Sequence, residues 1–228
     1  VPLVFGSNQN SVADCSSVWK RGDMKYFLFD IGNVLLDFDS QVLLKAMADG
    51  SGQPLKPQTE QDLAMQAAVE SGCISDEEFV QYLNGAKGLS WTVDDLTNVW
   101  SRIFSINEAG HRLFNDAVQA GVPVCMLSNL AQHHVDAIEY NWPGFFGRAD
   151  NLFFSYQMGL SKPDPSIYHR VLADLGTEAG QCFFIDDRPE NVEAAQAEGI
   201  NAHQFIPQNH AAIRTAAREF FGFQWLDV

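Results

Sequence analysis

A chain of 228 residues that is 46% hydrophobic holds enough apolar side chains for one large domain or a domain with an insert, and too many for a disordered chain. Its net charge of -15 argues against nucleic acid and anionic membrane surfaces as partners, and no apolar run approaches the roughly 18 residues of a membrane helix. An anionic substrate must then be held by a local positive group, not by the global field.

Cys15, Cys73, Cys125 and Cys182 lie far apart and form no C-x-x-C pair, which argues against a zinc site; Cys125 and Cys182 sit inside apolar runs and read as buried thiols of a reducing compartment, and a cytoplasmic location is expected. Residues 1–23 show neither a basic start followed by an apolar stretch nor a sustained helical or strand period. They are expected to be a loosely held tail, or to precede a natural start at Met24.

From Lys25 onward, strands and helices alternate. Lys25 to Phe29 (KYFLF) is a short apolar run that ends at Asp30 and predicts a buried strand. Residues 40–105 are expected to be helical throughout. Ser75-x-x-Glu78 is a capping box with Ile74, Phe79, Tyr82 and Leu83 as its apolar face, Thr92-x-x-Asp95 is a second cap, and turns are expected at 53–57 and 85–90. A helix over Glu108 to Ala120 stops at Gly121. Val122 to Leu127 is the next strand, ending at Ser128-Asn129, and a helix over Ala131 to Tyr140 follows. Asn151 to Ser155, Cys182 to Ile185 and Ala202 to Ile206 read as three more strands, and Asp164-Pro165 and Pro189 each open a helix. The order implies an α/β fold, a Rossmann-like parallel sheet with helices on both faces and an inserted small helical bundle. The core would be residues 24–39 and 106–228, and the insert residues 40–105.

Ligands of open α/β sheets bind beyond the carboxyl ends of the strands. Three of these strands end in polar groups: Asp30, then Ser128 and Asn129, then Asp186 and Asp187. Lys162 precedes a helix. Carboxylates gathered in one pocket call for a cation, and all-oxygen ligands suit magnesium. Magnesium with a lysine neutralises a phosphoryl group, a hydroxyl and an amide bind its oxygens, and a carboxylate can attack phosphorus. Loss of the lysine is expected to cost activity far more than stability.

FLFDIGNVLLDFD, MLSNL, GLSKPDPSIY and FFIDDRPENV together resemble the four motifs of the haloacid dehalogenase superfamily, over residues 25 to about 206. DIGNVLLDFD and GCISDEEF are similar to a branch containing sugar-phosphate phosphatases, a glucose 1-phosphate phosphatase among them. The resemblance implies a magnesium-dependent phosphatase acting on a small phosphorylated metabolite through an aspartyl phosphate, with the helical insert as a cap. It implies Asp30 as nucleophile and metal ligand, Gly32 as a metal ligand through its backbone carbonyl, and Ser128 and Asn129 as phosphate ligands. Lys162 would pair with the phosphate and with Asp30. Asp187 would bind the metal, with Asp186 supporting the metal or the lysine. Most phosphatases of the superfamily carry a second Asp, the proton shuttle, where this chain has Gly32. That departure keeps two alternatives open: a haloacid dehalogenase-type hydrolase, and a non-catalytic binding protein on the same scaffold. A monomer or small homo-oligomer is expected.

Other residues carry plainer expectations. Asp37 and Asp39 are read as capping and loop residues, Asn33 as a turn residue, and Arg188 as a surface or structural residue. The pair His133-His134 is read as solvated or packing, because helical neighbours do not share a face. Phe79, Tyr82, Trp91 and Trp100 are read as the core of the insert.

Overall fold

The computed structural model describes residues 24–54 and 58–222. The expectations for residues 1–23, Cys15 among them, and part of the turn expected at 53–57 lie outside these residues. Five parallel strands form the sheet: β1 (Tyr26–Phe29), β4 (Val124–Ser128), β5 (Asn151–Phe154), β6 (Cys182–Asp186) and β7 (Asn201–Gln204), in the order β5-β4-β1-β6-β7. Strand alternation assigns the faces. Phe27, Phe29, Met126, Phe183 and Ile185 pack against α5 (Glu108–Gln119) and α10 (His210–Phe221) on one side. Leu28, Cys125, Leu127, Cys182 and Phe184 pack against α8 (Pro165–Leu175) and α9 (Pro189–Ala197) on the other. Each fully buried Phe or Leu contributes about 1.5–3 kcal/mol. A one-residue slip of β1 would exchange both sets, so its register is fixed.

That register positions the site. Phe29 is level with both Met126 and Ile185, and the Asp30 amide donates to the Ile185 carbonyl at 3.0 Å. Asp30 and Asp186 therefore emerge side by side at the carboxyl edge. They keep the parity of Leu28 and Phe184, toward the face covered by α8 and α9.

Four helices follow β1 before the next sheet strand: α1 (Ser40–Ser51), α2 (Glu60–Glu70), α3 (Asp76–Lys87) and α4 (Val93–Trp100). Both capping boxes read from the sequence are present, at Ser75/Glu78 and Thr92/Asp95, and α2 has a third at Thr59/Asp62. Phe79 and Leu83 are buried in the insert, with Tyr82, Trp91 and Trp100 packed around them.

Two sequence expectations fail here. The stretch 40–105 is not helical to its end, because β3 (Phe104–Ile106) pairs antiparallel with β2 (Leu36–Phe38). The chain entering the insert and the chain leaving it pair with each other, a long-range contact that local periodicity cannot report. Gly85 does not begin a turn either: α3 continues to Lys87 and ends at Gly88, which takes the left-handed conformation.

The insert is joined to the core on one side. The Ser155 hydroxyl at the start of α7 (Ser155–Met158) donates to the Glu70 carbonyl at the end of α2, and Asp76 of α3 meets His133 of α6 (Gln132–Asn141) at 2.6 Å. Between these contacts Gly72 has φ +71°, and a Cβ placed on it would lie 2.2 Å from the Tyr156 carbonyl oxygen. Both the backbone conformation and the close approach demand glycine. Gly72→Ala is therefore expected to destabilise the protein by about 1–3 kcal/mol. Hydrogen exchange should accelerate first in residues 69–76 and 155–158, and unchanged exchange there would show that the joint tolerates the methyl group.

Candidate active site

Lys162 is the buried centre of the carboxyl edge. Its ammonium lies 2.9 Å from Asp30 Oδ1 and 2.5 Å from Asp186 Oδ2, and donates to the Leu127 carbonyl at 2.9 Å. Three acceptors match the three donors of a lysine. The loop that carries it is clamped by Asn129, whose amide nitrogen donates to the Lys162 carbonyl at 2.8 Å and whose amide oxygen accepts from the Lys162 backbone N–H at 2.9 Å. Asp186 is held by Asn191, which donates to both carboxylate oxygens at 2.9 and 3.0 Å, and by the Arg188 backbone N–H at 2.9 Å. Asp187, half-buried, accepts from the Asn33 amide at 2.9 Å, and its carbonyl accepts from Gln204.

Carboxylate oxygens of Asp30, Asp186 and Asp187 lie within 4.8 Å of one another. Three carboxylates face one ammonium, so the site carries excess negative charge, and its donor set is all oxygen. Both properties fit a hard divalent cation such as magnesium. Burial acts on these carboxyls more strongly than their mutual repulsion. Burial raises the Asp30 carboxyl to about 6; Lys162 and a hydrogen bond from Ser128 oppose the rise, and the neighbouring Asp186 adds to it. Burial likewise raises Asp187, against the Asn33 hydrogen bond. Burial alone would lower the Lys162 ammonium, but Asp186 and Asp30 hold it above its ordinary value.

The residues singled out from the sequence thus meet at one place: Asp30, Ser128, Asn129, Lys162, Asp186 and Asp187, with Gly32 on the loop after β1. Asn33 is a turn residue as expected, with φ 53°, and it also holds Asp187. Asp39 caps α1, and Asp37 accepts from Asn107, in keeping with capping and loop roles. Arg188 pairs with Glu190. Cys125 and Cys182 are buried thiols, raised by that burial to about 12. Of the two roles expected for His133 and His134, the structure shows packing. Both are buried, because the first turn of α6 is wedged between the insert and the sheet.

Asn191 was missed. The available signal was its place two residues after Pro189, in a first turn that faces back over the preceding strand end. Glu70, at the end of α2, also escaped notice. Burial raises its carboxyl to about 6, with Gln66 and the charge of Arg188 opposing.

A parallel sheet whose first strand ends in Asp30, with a lysine loop and a paired-carboxylate strand end beside it, has the arrangement of one large hydrolase family. The profile of the haloacid dehalogenase-like hydrolases matches residues 24–199, and the chain belongs to that family. Among individual proteins, it is 24% identical to the D-ribitol-5-phosphate phosphatase of Bacteroides thetaiotaomicron, over 82% of this chain and 94% of that protein. It is 39% identical to the sesquiterpene phosphatase astK of Aspergillus oryzae, over 35% of this chain and 40% of that protein. In fold, it resembles a haloacid dehalogenase family enzyme of B. thetaiotaomicron solved with magnesium and inorganic phosphate. The TM-score is 0.69 at 23% identity, covering 79% of this chain and 93% of that one. Among the described residues no helix is long and apolar enough to cross a membrane.

Removing the lysine tests the electrostatic account. Without it, Asp30 loses the charge that lowers its carboxyl, and its folded value rises further above the unfolded 3.8. An acid whose folded pKa is raised favours the fold while protonated and loses that advantage as pH climbs from the unfolded value through the folded one. Lys162→Met is therefore expected to lose about 3–5 kcal/mol at pH 7 without added metal, and much less near pH 4. This revises the sequence-based expectation of a modest stability effect. Denaturant titrations at the two pH values measure the difference, and an equal loss at both would contradict it.

Proposed function

We propose that the protein is a magnesium-dependent phosphatase that hydrolyses a small phosphorylated metabolite through an aspartyl phosphate on Asp30. The observation that carries the reading is the strand register, which sets Asp30 beside Asp186 with one buried lysine between them. In this reading an Asp30 oxygen attacks phosphorus, the bond from phosphorus to the leaving oxygen breaks, and water later attacks the acyl phosphate to release phosphate and restore the carboxylate. Ser128 and the remaining amide N–H of Asn129 hold phosphoryl oxygens. Lys162 offsets their charge while fixing the rotamer of Asp30. Asp30, Asp187 and the Gly32 carbonyl would hold magnesium, with Asp186 behind them. When bound, the ion supplies charge neutralisation at the phosphoryl group. Residues 40–105 would serve as the cap that covers this site.

The relatives favour a phosphate monoester as substrate, whether the ester partner is a sugar alcohol or a sesquiterpene. A dehalogenase has no need of magnesium, and so no evident use for Asp187 and the Asn33 amide that braces it. A panel of phosphorylated metabolites, assayed with magnesium and with EDTA, tests the proposal. Asp30→Asn should keep the fold and lower turnover by at least about four orders of magnitude, because the amide neither attacks phosphorus nor binds the ion well. Substantial phosphate release by that variant would exclude the aspartyl phosphate.

Gly32 carries a second prediction. No acid stands at this position, so the leaving group departs with weaker protonation, and substrates with less basic leaving groups should react faster. A Cβ at Gly32 would meet only the Phe38 ring, at 3.7 Å, which is ordinary contact. Gly32→Asp is therefore sterically feasible at its first atom. Across phosphate monoesters of rising leaving-group pKa, the wild-type rate should fall more steeply than the Gly32→Asp rate. A flat wild-type dependence, with chemistry rate-limiting, would mean that another group already supplies the proton.

A further inference from the structure

The insert encloses a cavity of about 460 Å³ between α1, α2, α3, α4 and the first turn of α6. That is the size of a pocket for a small organic molecule, not of a packing defect. Its wall is largely hydrocarbon. α1 contributes Leu43, Leu44, Met47 and Ala48, yet no residue of α1 is fully buried. An apolar helix face that lines a space without being buried is an under-packed side of a core, which a ligand of matching character would complete.

Two features connect the cavity to the catalytic edge. Phe38 forms part of its wall, and the same ring lies 3.7 Å from the Cβ position of Gly32, two residues after the nucleophile. His133 and His134 line it as well, and they sit in the helix that begins just after Asn129. On this inner wall, Trp100 Nε1, His133 Nε2 and His134 Nε2 are buried without a protein partner among the described residues. Ala131 donates its backbone N–H to His134 Nδ1, so the Nε2 of the neutral ring carries the hydrogen and can donate to an oxygen. Unpaired buried groups of this kind are unfavourable; as the rings stand these atoms are closed off from the cavity itself, and a ligand oxygen would reach them only after the Trp or His rings turn.

We infer that the cavity of the insert is the leaving-group subsite, and that the preferred substrate is the phosphate monoester of a largely apolar alcohol or phenol rather than of a sugar. The inference rests on the phosphatase reading and assigns its substrate class. The phosphoryl group stays with Asp30 and Lys162, while the carbon skeleton runs past Phe38 into the insert.

The test uses the full chain with magnesium and a series of aryl phosphates: phenyl, 4-butylphenyl and 4-octylphenyl phosphate. Leaving-group basicity is nearly constant along this series while apolar length grows. Acetyl phosphate reports the chemistry alone, and ribose 5-phosphate represents sugars. The ratio kcat/KM should rise by up to about fourfold for each methylene that the cavity buries, and should exceed that for the sugar phosphate. Ala48→Phe, which fills the cavity from α1, should flatten the rise and leave acetyl phosphate turnover unchanged. Leu63→Ser should weaken the rise; Leu63 lines the cavity but is 54% exposed, so this change does not depend on repacking the core. A flat series in the wild type, with acetyl phosphate hydrolysed, would overturn the subsite and leave the phosphatase standing. If acetyl phosphate is not hydrolysed, the phosphatase reading fails instead. Intrinsic tryptophan fluorescence with 4-octylphenol, to which Trp91 and Trp100 of the insert contribute, then decides the cavity: a saturable change lost in Ala48→Phe supports apolar binding there, and no change overturns it.

Discussion

The site is organised around one buried ammonium. Lys162 stands between Asp30 and Asp186, three charged groups that are almost wholly removed from water. None of them is tolerable there alone, since an isolated buried charge costs several kcal/mol. The polar contacts around them meet that requirement. Asn129 fixes the lysine loop, Asn191 and a backbone amide hold Asp186, and the Leu127 carbonyl takes the third donor of the lysine. The sheet must therefore close in one register, because a shift would strand a charge as well as misplace a Phe.

The same constraint makes the site poised for a further cation. One lysine does not neutralise three carboxylates, and burial, with a smaller contribution from the neighbouring Asp186, holds the Asp30 and Asp187 carboxyls above their ordinary range. In the proposed function a divalent ion, and then a phosphoryl group, would continue the alternation of charge that begins at Lys162. Gly32 contributes only its backbone at this point. In the proposed mechanism the absence of a carboxyl acid at that position shifts the burden of selectivity to the leaving group and to the insert.

Much of this was legible in the sequence because each central strand is an apolar run that ends abruptly in a functional group. KYFLF-Asp30 and CFFI-Asp186-Asp187 state both the burial and the chemistry within a few residues, and the capping boxes mark α3 and α4 just as locally. What escaped depends on partners distant in the chain. Leu36–Phe38 and Phe104–Ile106 become strands only through each other. The burial of His133 and His134 comes from the insert closing on α6, which a rule about adjacent helical residues cannot foresee. Asn191 looks like any polar residue of a helix start until the register brings Asp186 beneath it. The cavity has no sequence signature, since apolar residues that line a space and those that fill one read alike.

The order of strands in the sheet also bears on how the chain assembles. β1 is the central strand and the first of the five in sequence, yet its two neighbours are β4 and β6, with the long insert intervening before either. During synthesis Phe27, Leu28 and Phe29 must wait for residues 124–126 and then 182–185 before both edges are paired. The helices of the insert can pair among themselves before that, and α4 completes its packing when α6 arrives. An apolar strand with two open edges is a template for wrong partners. Asp30 at its end acquires its counter-charge only when the loop carrying Lys162 arrives, so the site cannot be assembled before most of the fold exists.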